Sequence, residues 1–396
     1  MDMKNAGCAG FEAAGIAAGI KKNGKKDLGI LVSGVPATVA AVFTRNRVQA
    51  APVLLDRERI KSGRCRAIVV NSGCANCCTG EQGMADAKAM AEFVAAELGI
   101  NEDLVLVAST GVIGESLPME NIEAALPELV STLTPQGIPE LAEAIMTTDT
   151  VPKVVSRSGH LGGKSFTITG VAKGSGMIRP DMATMLCFVA TDADIAANML
   201  QRALAAGVDR SLNRITIDGD TSTNDMVILM AGGMSSVKIG DDSRMETFQQ
   251  ILDEVLIALA RALVKDGEGV TKLVEIKING AASDKDARQI ADTVAHSNLL
   301  KTAFFGEDAN WGRIIAAAGR AGVPMEVDRT DIFFNDVQMA KNGIGCGKIA
   351  EAGAGAVMKK DEFCIEMDLK MGIGSASVLT CDFSIDYVKI NADYRS

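Results

Sequence analysis

Short apolar runs rich in β-formers alternate along the whole chain with amphipathic helical stretches, and no other feature limits the fold so tightly. LGILVS (28–33), TVAAVFT (38–44), AIVVNSG (67–73) and LVLVAST (104–110) read as strands, and MADAKAMAEFVAAELG (84–99) reads as a helix. Phe248, Ile251, Leu252, Val255, Leu256, Leu259 and Leu263 recur at helical spacing, which predicts a helix over 246–265 with one apolar stripe. Ile365, Met367, Leu369 and Met371 alternate with Glu366, Asp368 and Lys370, the period of a strand with one wetted face. Strand-like stretches cluster at 153–191 and 363–391 with hairpin-like spacing, so an antiparallel or mixed sheet fits better than a purely parallel one. The chain is of the mixed α and β class. Its 396 residues suffice for one large or two medium domains, and no short repeat or low-complexity linker divides them.

Charge and aromatic content narrow the partners. Forty basic against fifty acidic residues give −10, and aromatics make up 4%, so the chain has neither the basic patch nor the stacking platform that nucleic acid needs. No run approaches the roughly 20 apolar residues that span a bilayer, and the amino-terminal stretch has no continuous apolar core. A cytoplasmic protein without membrane or nucleic-acid partners is expected. Nine cysteines, an odd number, suit free thiols in a reducing compartment better than a disulfide framework. Cys74, Cys77 and Cys78 in NSGCANCCTG look like half of a metal site, but no second CxxC follows and the chain has two histidines, His160 and His296. No metal is expected.

The most unusual stretch is AKGSGMIRPDMATMLCFVATD (172–192). Gly174, Ser175 and Gly176 make a flexible turn after a strand, Pro180 stiffens the approach to Thr184, and Thr184 opens the apolar run MLCFVA. The P-loop spacing is absent, which leaves a tight turn entering a buried strand or a site of another kind. His160 in SRSGHLGGK reads as a surface turn and His296 in DARQIADTVAHSNLL as a helix face, so neither is placed to serve a nucleophile. Covalent catalysis would then need another base, and a threonine whose own α-amine does that job is the known alternative. An α-amine titrates near ~7.7–8.0, against ~10.4 for a lysine side chain, so it is substantially neutral at pH 7. That chemistry requires the chain to be cut before a threonine. The polar run IDGDTSTND (217–225) either lines a site or is a loop between strands.

KGSGMI and ATML, with STGVIGE (109–115), MTTDT (146–150), DGEGVTK (266–272), FGEDANWGRI (305–314) and the terminal NADYRS (391–396), resemble the ornithine acetyltransferases, the glutamate N-acetyltransferases of arginine biosynthesis. The similarity covers nearly the whole chain, in the family's order. It implies an α/β (α+β) fold, a layered αββα-type sandwich shared with N-terminal-nucleophile aminopeptidases. It further implies self-cleavage between Ala183 and Thr184, giving an α chain 1–183 and a β chain 184–396 that interleave in one fold, and a pair of such heterodimers. Thr184 would take acetyl from N-acetylornithine and pass it to glutamate in a ping-pong cycle, with Thr110 and Gly111 stabilising the oxyanion. The family's substrate-binding positions carry over to Thr147, Lys173, Thr184, Glu268, Asn391 and Ser396, with Lys173 facing a carboxylate and Glu268 the ammonium of ornithine. No cofactor is implied; acetyl-coenzyme A is a donor for some members and not others, and these residues leave that choice open.

Without the resemblance, Thr110 and Gly111 read as a strand end entering a turn, Lys173 and Glu268 as solvated charges, and the carboxyl-terminal tail as disordered. Arg179 and Asp181 stand where members often carry His and Asn, which changes the charge beside the cut. The cysteines of NSGCANCC read as packing variation in a loop. Rival readings are a hydrolase on the same architecture, a kinase using Gly174–Gly176 for phosphate, and a binding protein that presents an amino-acid pocket.

Overall fold

The computed structural model describes residues 6–179 and 185–393. Pro180, Asp181, Met182, Ala183, Thr184 and Ser396 lie outside them, so the expectations for the cut and for the carboxyl-terminal residue fall outside the described structure. Two compact units emerge: Met1–Asn213 with Asp220–Leu263, and Arg214–Gly219 with Val264–Ser396.

The first unit holds β1 (Phe11–Ile16), β2 (Leu28–Phe43), β3 (Arg64–Cys74), β4 (Val105–Val112), β5 (Lys153–Leu161), β6 (Lys164–Lys173), β7 (Leu186–Thr191), β8 (Asp194–Ile195), β9 (Met226–Ala231) and β10 (Lys238–Ile239). Its main sheet runs β4-β3-β2-β9-β7-β6-β5, with β1 on β2. β3–β4 and β7–β9 are parallel and the other pairs antiparallel, the mixed sheet the sequence led us to expect. The two runs at 28–33 and 38–44 are not separate strands. They are halves of β2, whose pairing with β3 shifts between Val32 and Ala37, where Gly34 and Pro36 sit exposed. A glycine and a proline ordinarily break a strand; here both stand at an irregularity where ladder bonds are not required. The first half of β2 pairs with β1 and the second with β9.

Helices cover this sheet because the strands are apolar on both faces. Leu28, Ile30, Val69 and Val107 pack against Met90 and Val94 of the helix Gly80–Leu98 and Ile122 and Leu126 of the helix Met119–Ser131. Leu31, Ile68, Leu106, Phe188 and Ile228 turn to the other face with Leu141 of the helix Ile138–Ala144. The apolar stripe read at 246–265 lies on the helix Asp242–Lys265, where Phe248, Leu252, Val255, Leu256, Leu259 and Leu263 are fully buried. Each such side chain contributes about 1.5–3 kcal/mol by leaving water. This helix approaches β6 so closely that a Cβ on Gly170 would lie 2.8 Å from Leu259 Cδ1 and 3.1 Å from Val255 Cγ1. A side chain at that position would require Leu259 and Val255 to shift.

The second unit holds β11 (Leu273–Ala281), β12 (Asp331–Phe334), β13 (Val337–Lys341), β14 (Ile344–Gly345), β15 (Glu362–Asp368) and β16 (Gly374–Cys381), ordered β14-β13-β12-β15-β11-β16. The hairpin expected from spacing in 363–391 is overturned: β11 inserts between β15 and β16, parallel to the first and antiparallel to the second. The chain after β16 is the helix Ile385–Ala392. Among the described residues no helix is long and apolar enough to cross a membrane.

Candidate active site

Two glycines face each other at the carboxyl ends of the parallel pair β3–β4. Ser72 is the register partner of Thr110 and Gly73 of Gly111, and the ladder is irregular just beyond, at Cys74. Gly73 has φ +108° and Gly111 φ +135°, conformations that side chains rarely adopt. A Cβ on Gly111 would sit 2.2 Å from the carbonyl carbon of Gly73. At Gly111 the strand end therefore leaves no room for a side chain.

Lys173 closes β6 and is 8% exposed. Its Nζ donates to Thr147 Oγ1 at 2.7 Å and Thr110 Oγ1 at 3.2 Å, so two hydroxyls from separate segments meet on one ammonium. Spacing alone made Lys173 a solvated charge; the structure corrects that reading. Asp149 fixes the segment that carries Thr147. Its Oδ1 accepts from Lys153 Nζ and from Gly174 N, both at 2.7 Å, and its Oδ2 accepts from Thr147 N at 3.0 Å. Burial alone would raise the Asp149 carboxyl, but the charges of Lys173 and Lys153 and the Lys153 and Thr147 hydrogen bonds bring it down to about 2. Thr148 Oγ1 and Ser175 Oγ are 2.7 Å apart, tying the Gly174–Gly176 turn to the same segment.

The polar run at 217–225 divides. Asn224 and Asp225, in the first unit, are buried, so that part is no solvated loop. Asn224 Nδ2 donates to Ala75 O at 2.6 Å and Ser109 O at 2.8 Å, joining the loop after β3 to β4. Burial pushes the Asp225 carboxyl well up, against hydrogen bonds from Ser222 and the charge of Lys173, and its Oδ2 has no hydrogen-bond partner among the described residues. Sequence reasoning gave Asp149 no part in the MTTDT motif; two hydroxyl residues just ahead of a carboxylate were the available signal.

In the second unit Glu268 is 7% exposed and its Oε2 accepts from Asn391 Nδ2 at 2.8 Å, so two of the carried-over positions meet there. The solvated-charge reading fails for Glu268 as it did for Lys173. His296 lies at the end of the helix Asp284–Ala295, with Nε2 3.0 Å from Thr216 Oγ1 and Nδ1 2.6 Å from Asp292 O. His160 is exposed near the tip of β5. Cys74 and Cys77 are buried, and burial is the largest cause raising both thiols. Cys78 is exposed. Among the described residues no group of three or more His, Cys, Asp or Glu could hold a metal ion.

The described site is thus a buried ammonium that donates to two threonine hydroxyls beside a glycine-shaped strand end. The ArgJ family matches residues 12–396, and the chain belongs to it. Within that family it is an acyltransferase of arginine biosynthesis. It is 52% identical over 390 residues to the arginine biosynthesis bifunctional protein ArgJ of Geobacter sulfurreducens, covering 98% of this chain and 99% of that protein. It is 50% identical over 389 residues to the protein of the same name from Syntrophotalea carbinolica, again covering 98% and 99%. Among solved structures, the ornithine acetyltransferase of Mycobacterium tuberculosis complexed with ornithine is 44% identical, with a TM-score of 0.44 over 46% of this chain and 98% of that chain.

Proposed function

We propose that this enzyme moves acetyl from N-acetylornithine to glutamate through an ester on Thr184, after cutting its own backbone between Ala183 and Thr184. The observation that supports this best is the junction of Lys173 with Thr110 and Thr147, because Lys173 is the register partner of Leu186, two residues after Thr184.

Self-cleavage begins when Thr184 Oγ adds to the Ala183 carbonyl and the C–N bond breaks, leaving an ester and a free α-amine. Water then opens the ester, giving the carboxylate of Ala183 and the hydroxyl of Thr184. In the transferase cycle that hydroxyl attacks the acetyl carbonyl of N-acetylornithine while the α-amine takes its proton. The proton passes to the departing nitrogen, and ornithine leaves. Glutamate's amine attacks the acetyl ester, Thr184 recovers its proton, and N-acetylglutamate departs. Each tetrahedral oxyanion is met by Thr110 and Gly111, and one such donor is typically worth about 2.7–4 kcal/mol of the barrier. Lys173 and Thr147 hold the α-carboxylate; Glu268 and Asn391, with Ser396, serve the far end of ornithine.

The main sheet draws β1–β6 from before the cut and β7 and β9 from after it, with β6 paired to β7 over six register positions. This supports two chains, 1–183 and 184–396, that stay interleaved, and we assign them to a heterotetramer of two α and two β chains. The word bifunctional in the relatives' names supports acetyl-coenzyme A as a second donor, with no resident cofactor.

Intact-protein mass spectrometry with N-acetylornithine tests the proposal. The expected result is a fragment beginning at Thr184 that gains one acetyl group, with one equivalent of ornithine released. A single unbroken chain with full turnover, or full turnover after Thr184→Ala, refutes it; release of free acetate in place of N-acetylglutamate favours the hydrolase.

A further inference from the structure

Lys21 lies in the loop between β1 and β2, and the fold gives it a fixed place beside the strand-end glycines. The backbone N–H groups of Ala18, Ile20 and Lys21 all donate to the Asp27 carboxylate, at 2.6, 2.7 and 2.8 Å. The loop is thus wound on a buried anion, which fixes where the Lys21 side chain departs. Its stem crosses the end of β3: a Cβ on Gly73 would meet Lys21 Cγ at 3.2 Å, and Gly73 is the register partner of Gly111. Its ammonium donates to Lys26 O at 2.8 Å and to Met146 O at 2.7 Å, the latter one residue before Thr147. Two of its three N–H groups are used in this way; the third has no partner among the described residues.

The charged groups around it are Asp27 and Lys25 in its own loop, Asp149 in the Thr147 segment and Lys173 at the end of β6. Lys26 turns its own ammonium to Glu140 and Glu143 on the helix Ile138–Ala144. Burial lowers Lys21 to about 8, opposed by Asp27 and Asp149 and reinforced by Lys173 and Lys25. The position is therefore one where an arriving anion strengthens a cation that the protein holds at a cost.

We infer that Lys21 receives the second carboxylate of the acceptor amino acid, the group that glutamate has and ornithine lacks. This rests on the transferase reading. The amino acid that leaves carries a cationic side chain and the one that enters an anionic one, a difference of two unit charges at the same end. An entering side chain that is an anion calls for a cation, which the departing ornithine side chain does not. Lys173 is committed to the α-carboxylate in both halves. Lys153 is 1% exposed and bound to Asp149. Lys21, half-buried with an unused donor, has the right charge and the freedom to bind.

Lys21→Met keeps the stem over Gly73 and removes the charge. With the acetyl-enzyme preformed from N-acetylornithine, glutamate and the uncharged glutamine are compared as acceptors. A charge-assisted hydrogen bond predicts that the variant raises KM at least ~tenfold more for glutamate than for glutamine, with Lys21→Arg restoring most of the difference. In the unaltered enzyme KM for glutamate should climb as pH passes 8, while KM for glutamine does not follow. Equal losses for both acceptors, an ornithine burst slowed as much as glutamate turnover, or identical pH profiles would overturn the inference. If the unaltered enzyme gives no ornithine burst, the transferase reading falls first and this inference with it.

Discussion

Gly111→Ala is the substitution whose outcome the structure fixes most closely. The new Cβ would lie 2.2 Å from Gly73 C, 2.5 Å from Gly73 O and 2.6 Å from Cys74 N. Carbon atoms rest about 3.5 Å apart, so β3 and β4 must separate by roughly 1.3 Å at this point. None of the three atoms can swing aside, because each is backbone of a strand held in the parallel ladder from Ala67–Val105 to Ser72–Thr110. The φ of +135° adds strain for any side chain. Backbone strain and forced opening of a packed strand end each cost about 1–3 kcal/mol, so the variant should lose about 2–6 kcal/mol of stability. The Gly111 N–H would move by about 1 Å with its strand, and a misplacement of that size costs on the order of 10²-fold in the acetylation step. Urea denaturation and the rate of the ornithine burst read the two effects separately. Gly99→Ala is the control: φ is +62° there and nothing lies within 4 Å of the added carbon, so it should cost only about 1–2 kcal/mol and leave the burst intact. A Gly111→Ala enzyme with the burst rate and urea midpoint of the unaltered protein would refute both the strand contact and the oxyanion role.

Other substitutions probe the groups around this strand end. Asp149→Asn strands the buried Lys153 ammonium and should cost about 3–5 kcal/mol, read by thermal or urea denaturation. Asp149 is held near 2 against an ordinary 3.8, so it contributes about 2–3 kcal/mol that is fully present above pH 4 and fades as pH falls toward 2. In Asp149→Asn the acid limb of the stability profile should flatten by that amount. Lys173→Met removes the shared donor of Thr110 and Thr147 and should raise KM for N-acetylornithine by about 10- to 100-fold, measured from the concentration dependence of the burst. Asn224→Ala leaves the carbonyls of Ala75 and Ser109 without their donor and should cost about 2–4 kcal/mol, detected in the same denaturation series.

What could be read from the sequence was whatever depends on local period. The stripe from Phe248 to Leu263 announced its helix because one face of it is fully buried, and the alternation from Ile365 announced β15 because that strand buries every second residue. Pairing across long separations has no such signature. Nothing in 363–391 shows that Leu273–Ala281 will lie between β15 and β16, and the Gly34–Pro36 interruption looks the same in a bulged strand as in a loop. The site divides along the same line. Thr110, Gly111, Thr147, Lys173, Glu268 and Asn391 were reached through the family's motifs, since spacing alone made the charges solvated. Asp149 and Asn224 organise the cluster by bridging segments far apart in the chain, which periodicity does not register. Lys21 was invisible for the same reason, its place being set by Asp27 and by the carbonyl of Met146.

The electrostatics around Lys173 also bear on which group can serve as base under the proposed mechanism. Two carboxyls are near enough for their charges to register with that lysine, and they are driven in opposite directions. Asp149 stays ionised, but it is buried and accepts from Lys153, Gly174 and Thr147, which hold it in a structural role. Asp225 is driven toward its protonated form by burial, and a carboxylic acid that holds its proton cannot take another. Lys173 Nζ is itself engaged with two hydroxyls. His160 lies exposed near the tip of β5, away from the strand ends that bear Thr110 and Gly111. The proposed mechanism calls instead on a backbone α-amine. The ordinary pKa of an α-amine, ~7.7–8.0, already leaves part of it neutral at pH 7. Under the proposed mechanism Lys173 and that amine act on one substrate, so replacing Lys173 by methionine should shift the rising limb of the acetylation rate to higher pH as well as raise KM.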